Sequence, residues 1–248
     1  MLLPDRDERR NALHRPVQPS SQPVHALTRR TLFATAAAAL VVPTAARAET
    51  ARRTFRIVRG GSNIGEQTIT VEKTGERLRV AIDIEIAVKL LGITAYRYEM
   101  SNVETWSNGA VQTISARTRD NGKDAYVEAE RTVAGLNVRG SGYTGTVRGD
   151  IATTTYWTTA FLKRPVWIST QDGAPFDITA RQAGPFQFPT TSGSVSATQW
   201  QTSGDLELAL FYDAQGEWVG SEFDAQGTAA RFISTGTSDR LSALWSNA

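Results

Sequence analysis

Residues 150–172 hold the densest group of side chains able to bind or react: Tyr156, Trp157, Phe161 and Trp167 among Thr153, Thr154, Thr155, Lys163 and Arg164. Aromatic rings edged by hydroxyls and cations suit a mostly apolar ligand with a few polar handles. Carried by a helix or loop across the mouth of a curved sheet, these rings would face its concave side. With Tyr96 and Tyr98 from a neighbouring strand, Tyr156, Trp157, Phe161 and Trp167 are the expected ligand-binding residues. The competing account is that the segment plugs the sheet and its rings are core.

Other chemistries find less support. Both histidines, His14 and His25, precede residue 49, and the chain has no cysteine. The remainder therefore lacks imidazole bases, thiolates and the usual transition-metal ligands, and no cofactor or metal is expected. Glu99, Glu104, Asp120 and Asp124 lie near strand ends and could pair as acid and base on a glycosidic bond. Solvated surface charge is the plainer account of them. Asp213 and Asp224 read as turn-initiating residues rather than calcium ligands. No S-x-x-K, G-x-S-x-G, Walker or dinucleotide glycine pattern is present.

The charge divides unevenly. Residues 1–48 hold seven Lys/Arg and three Asp/Glu, a net of +4, and residues 49–248 hold a net of −2, which together give the +2 of the whole chain. The basic character belongs to the leader, so no nucleic-acid partner is expected. Thr28-Arg29-Arg30-Thr31-Leu32-Phe33 resembles a twin-arginine export motif, with the signal at Arg29 and Arg30 and the apolar pair in the order Leu-Phe where Phe-Leu is commoner. An Ala-rich apolar stretch follows, and Ala46-Arg47-Ala48 places the cut after Ala48. The stretch is too short for a permanent span. The expectation is an extension plus signal peptide over 1–48 and one exported domain over 49–248. It is carried by the twin-arginine (Tat) translocase to a periplasmic or secreted address, and is soluble after cleavage.

The elements that must position the candidate residues are strands. From Leu78 to Leu90 every even residue is a large aliphatic, and from Arg77 to Lys89 every odd one is charged or alanine. That is a strict period of two, because successive strand side chains point to opposite faces. Leu91-Gly92 reverses the chain, and Ile93 to Trp106 returns with Tyr96, Tyr98, Met100 and Trp106 on one parity. Asn121-Gly122 is the strongest hairpin signal. Gly184 to Gly193 reads as a Pro-containing loop, and the tail beyond Gly236 as loose, with Leu244 and Trp245 able to dock. Asp150 to Arg164 departs from the pattern as a short helix or loop, with Asp150 as its cap. The expected fold is all-β: a strongly curved antiparallel meander, half-barrel or barrel-like, of roughly 10–13 strands.

The motif order is Ser62-Asn63-Ile64-Gly65, Glu104-Thr105-Trp106-Ser107-Asn108-Gly109, Asn121-Gly122, Thr154-Thr155-Tyr156-Trp157 and Leu210-Phe211-Tyr212-Asp213. It resembles an exported bacterial family known as domain of unknown function 6134, over most of residues 54–234. The resemblance implies an envelope β-protein and brings no known activity.

Three functions follow as expectations. The first is a non-catalytic periplasmic β-shell binding an apolar or amphipathic ligand, such as a lipid, or an envelope partner protein. The second is an envelope scaffold with a filled core. The third is a carboxylate-dependent hydrolase. Lipoprotein-carrier half-barrels are an analogy of fold only.

Overall fold

The computed structural model describes residues 48–90, 92–225, 227–236 and 239–245. Arg29 and Arg30 lie outside the described residues, and Ala48 is the first of them. Fifteen strands follow: β1 (Glu49–Arg59), β2 (Ser62–Thr74), β3 (Arg77–Leu90), β4 (Ile93–Ser107), β5 (Ala110–Asp120), β6 (Lys123–Thr132), β7 (Gly135–Gly140), β8 (Thr144–Val147), β9 (Ile151–Thr153), β10 (Val166–Ile168), β11 (Pro175–Thr190), β12 (Gly193–Gly204), β13 (Ala209–Asp213), β14 (Trp218–Asp224) and β15 (Ala229–Ser234). A short helix α1 (Leu241–Trp245) ends the described chain.

All fifteen strands form one sheet, which is not closed. Its order runs from β8 down to β1, crosses to β15, and runs down to β9. The edge strands β8 and β9 are consecutive in the chain, so the topology is a barrel opened at one seam, spanned by residues 148–150. Short hairpin turns produce this order: Asn121 and Gly122 both take positive φ, 47° and 87°, the conformation that matches the twist of the flanking strands. The antiparallel meander is as expected, with more strands than expected and one exception, the parallel pairing of β9 with β10.

Three local readings are corrected. Asp150–Arg164 is not one helix: Ile151–Thr153 is strand, Tyr156 takes φ 57°, and a 3-10 turn spans Thr159–Lys163. Thr158, not Asp150, caps that turn by accepting the Ala160 amide at 3.3 Å. The sheet takes up the β9 backbone through β10, which overrides the helical spacing of Trp157 and Phe161. Gly184–Gly193 is not a loop; residues 184–190 belong to β11, which passes a bulge at Gln182/Gly184 and stays paired with β12 out to Gly193. The tail is not loose where α1 docks, with Leu241 and Leu244 buried.

Alternation sorts the side chains into two cores. The main one lies on the concave face and includes Leu78, Val80 and Ile82 of β3 with Trp106, Trp157, Trp167 and Trp218. A smaller one of Phe188, Ala197, Phe211 and Val219 lies on the opposite face, where the Phe188 and Phe211 rings pack tilted with centroids 4.3 Å apart. Gly220 makes this second layer possible, since a Cβ there would stand 2.3 Å from the Phe188 ring.

Candidate functional site

The β3–β4 register builds the concave strip one pair at a time: Leu78 beside Trp106, Val80 beside Glu104, Ile82 beside Asn102, Ile84 beside Met100, Ile86 beside Tyr98 and Val88 beside Tyr96. The first three pairs are sealed, each residue being 0–1 % exposed. Farther along β3, Ile84, Ile86 and Val88 are only half-buried. Pairing to β2 ends at Gly65–Ile86 and pairing to β5 ends at Tyr98–Asp120. Beyond those points the two strands pair with each other and project past their neighbours, to a tip where Ile93 is 74 % exposed.

Residues 150–173 fill the sealed end. Trp157, Phe161 and Trp167 are each fully buried. Phe161 stacks on Trp106 at 5.0 Å, and Trp245 of α1 stands edge-on to Trp106, Trp157 and Phe161. Arg164 ties the segment to the sheet. Its guanidinium donates to the Ile151 carbonyl at 2.6 Å and to the Gly109 carbonyl at 2.5 Å, and lies over the Trp106 ring. Burial lowers its pKa, opposed by Asp150 at 3.3 Å.

At the centre of this end lies Glu104, with no exposed surface. Its carboxylate accepts from Asn102 Nδ2 at 2.9 Å, Trp106 Nε1 at 2.8 Å and Thr153 Oγ1 at 3.2 Å. Burial raises its pKa, and the hydrogen bonds oppose the rise. The reading of Glu104 as surface charge is therefore wrong. Its even parity, shared with Tyr98, Met100 and Trp106, was the signal that places it inside. A second buried carboxylate, Glu217 at 1 % exposure, faces Arg53 at 3.5 Å and the first turn of α1. Both carboxylates are spent on internal partners and sealed from substrate. Asp213 and Asp224 accept backbone amides within their own turns, as turn-initiating residues do.

The open end carries the tyrosines. Tyr96 and Tyr98 are half-buried, and the Tyr98 hydroxyl donates to Met100 Sδ and Gln171 Oε1 at 3.5 and 3.4 Å. Burial and the neighbouring Asp120 carboxylate push Tyr96 up to about 12. Tyr98 is raised further, first by burial and then by Tyr96, Asp120 and Asp172, and Tyr156 first by burial and then by Tyr98. Tyr156 bridges the two ends. It is half-buried, its left-handed backbone is costly for a bulky residue, and its carbonyl is held by the Tyr212 hydroxyl at 2.7 Å. The six expected ligand residues thus divide: Trp157, Phe161 and Trp167 pack in the core, while Tyr96, Tyr98 and Tyr156 keep partial access. Beside those tyrosines stand Ile84, Ile86 and Val88, on the apolar face of β3 that the alternation in the sequence marks out.

No functionally curated protein matches the chain. A crystal structure of a β-barrel-like protein of another domain of unknown function, DUF1849, from Brucella abortus, has a similar fold: TM-score 0.54 and 9 % identity, covering 75 % of this chain and 95 % of that one. At that identity the likeness concerns fold alone. The family model described as domain of unknown function DUF6134 matches residues 55–235. That span contains the Glu104 hub, the 150–173 segment and the projecting hairpin, and the chain belongs to the DUF6134 family.

Proposed function

We propose that the chain is a non-catalytic exported β-shell that holds the apolar part of an amphipathic lipid at the open end of its concave face. One observation carries this reading: the strip is sealed by the protein's own side chains at Leu78–Ile82, yet Ile84, Ile86 and Val88 stay half-buried beside Tyr96 and Tyr98. Apolar wall with a few hydroxyls at its rim suits an acyl chain with a polar head. The Arg29-Arg30 motif and the cleavage pattern at Ala48 support passage through the twin-arginine translocase to the periplasm or beyond. Among the described residues no helix is long and apolar enough to cross a membrane.

The filled end favours a second reading, an envelope scaffold that binds another protein through the projecting hairpin rather than a lipid. The hydrolase reading is not supported by its expected acids: Glu104 is sealed and hydrogen-bonded, Glu99 and Asp124 sit in exposed pairs with Arg97 and Arg119, and Asp120 lies beside Tyr96.

Native mass spectrometry of protein isolated from the periplasm separates the readings. The wild type is expected to carry a lipid-mass adduct that Ile86→Asp loses while keeping its fold. A wild type that is a clean apo monomer contradicts the lipid reading. A discrete protein partner lost in the same variant supports the scaffold.

A further inference from the structure

We infer that the seat of α1 is a peptide-binding groove, occupied here by the chain's own tail, whose ligand in trans is a short amphipathic helix of the tail's chemistry. The inference goes beyond the lipid reading and concerns the other end of the concave face.

Helix α1 has five residues, Leu241 to Trp245. A helix that short does not hold itself in water, so its order comes from the seat. The seat grips the backbone at both ends. Glu217 accepts the Leu241 and Ser242 amides at 3.1 and 2.8 Å, together with the Ser242 hydroxyl. The Lys73 ammonium, 9 % exposed, donates to the Leu244 carbonyl at 3.1 Å. A buried anion at the amino end and a buried cation at the carboxyl end complement the free amides, free carbonyls and dipole of a helix. An acyl chain offers neither set of groups, so these two charges select a peptide.

Between the charges lies an apolar floor. Trp245 stands 5.4 Å from Trp106, 5.3 Å from Trp157 and 5.7 Å from Phe161. Leu241 and Leu244, three residues apart on one helical face, are 1 % and 7 % exposed. The floor also holds a buried donor without a partner, Trp157 Nε1. The family match ends at residue 235, before α1 begins. The groove is therefore built from the family domain and its occupant from residues outside the match. The recognised ligand has two leucines at i and i+3 and a tryptophan directly after the second.

The test uses the full exported chain. In Leu244→Asp the tail loses its hold and the seat stays intact. A fluorescently labelled peptide of sequence 236–248 is expected to bind this variant saturably, about tenfold or more tighter than the wild type, whose own tail competes. Adding Lys73→Met to Leu244→Asp is expected to abolish binding. Hydrogen exchange on the unmodified wild type gives the independent reading: amides of residues 241–245 should exchange about tenfold or more faster than those of β4, through an opening smaller than global unfolding. Exchange of α1 only by global unfolding makes it ordinary core and overturns the inference. A folded Leu244→Asp variant that binds no peptide, or that takes a fluorescent fatty acid in its place, overturns it as well.

Discussion

Glu104→Leu is expected to lower the stability of the domain by about 3 kcal/mol, measured by urea unfolding at neutral pH. Removing the carboxylate leaves Trp106 Nε1, Asn102 Nδ2 and the Thr153 hydroxyl buried without their acceptor. Each orphaned buried donor costs about 1–3 kcal/mol. Relief of the carboxylate's own desolvation offsets part of that total. Glu104→Gln gives the matching pH experiment. Burial raises the Glu104 pKa above its ordinary value of 4.5, so the folded state holds the proton more tightly than the unfolded chain does. The resulting stabilisation is complete below 4.5 and is lost as pH rises through the folded value. The stability of the wild type relative to Glu104→Gln should therefore decline from about pH 4.5 upward. A difference that is flat with pH, or that grows, would show Glu104 ionised at no cost in the folded state.

Glu217→Ala is expected to cost about 3–5 kcal/mol, the range for breaking a buried ion pair from one side. The carboxylate serves two neighbours at once. It faces Arg53, buried at 7 %, and it holds the first amides of α1. Without it, Arg53 keeps the Ser234 hydroxyl at 2.9 Å but loses its countercharge, and the helix loses its amino-end anchor. Leu244→Asp removes only the helix and should cost less. The double variant should then cost less than the sum, because the helix is lost once in either background. Strict additivity would mean that Glu217 and α1 are not coupled.

These two carboxylates also show how much of the site the sequence carries. The alternation of β3 foretold a strand with one apolar face, and the Asn121-Gly122 turn foretold its hairpin. Hairpin turns of that kind also suffice to lay out most of the sheet order. Glu104 was legible in principle, since the parity that places Tyr98, Met100 and Trp106 inside applies equally to residue 104. Composition argued the other way, because an isolated carboxylate is rarely sealed without a cation. Its donors explain the exception, and one of them, Thr153, comes from a segment 49 residues away. Glu217 carried no such signal. Its role depends on Arg53 and on a five-residue helix too short to leave a period. The 150–164 segment misled because Trp157, Phe161 and Arg164 fall at helical spacing by coincidence. The left-handed Tyr156 and the parallel pairing of β9 with β10 are tertiary facts. Nor did periodicity distinguish Ile82 from Ile86, which share one face of one strand. The ends of β2 and β5, which leave the hairpin without flanking strands beyond Ile86, are tertiary facts as well.

That boundary is the central claim, and the absence of cysteine from the chain makes it directly measurable. Single-cysteine variants at Ile82 and Ile86 can be labelled with a maleimide under native conditions. The cysteine replacing Ile86 should react at a rate close to that of an exposed reference placed at Ser101. The one replacing Ile82 should react only through opening of the fold, about a hundredfold or more slowly. Equal rates at the two positions, or protection of both, would contradict a concave face sealed through Ile82 and open beyond it.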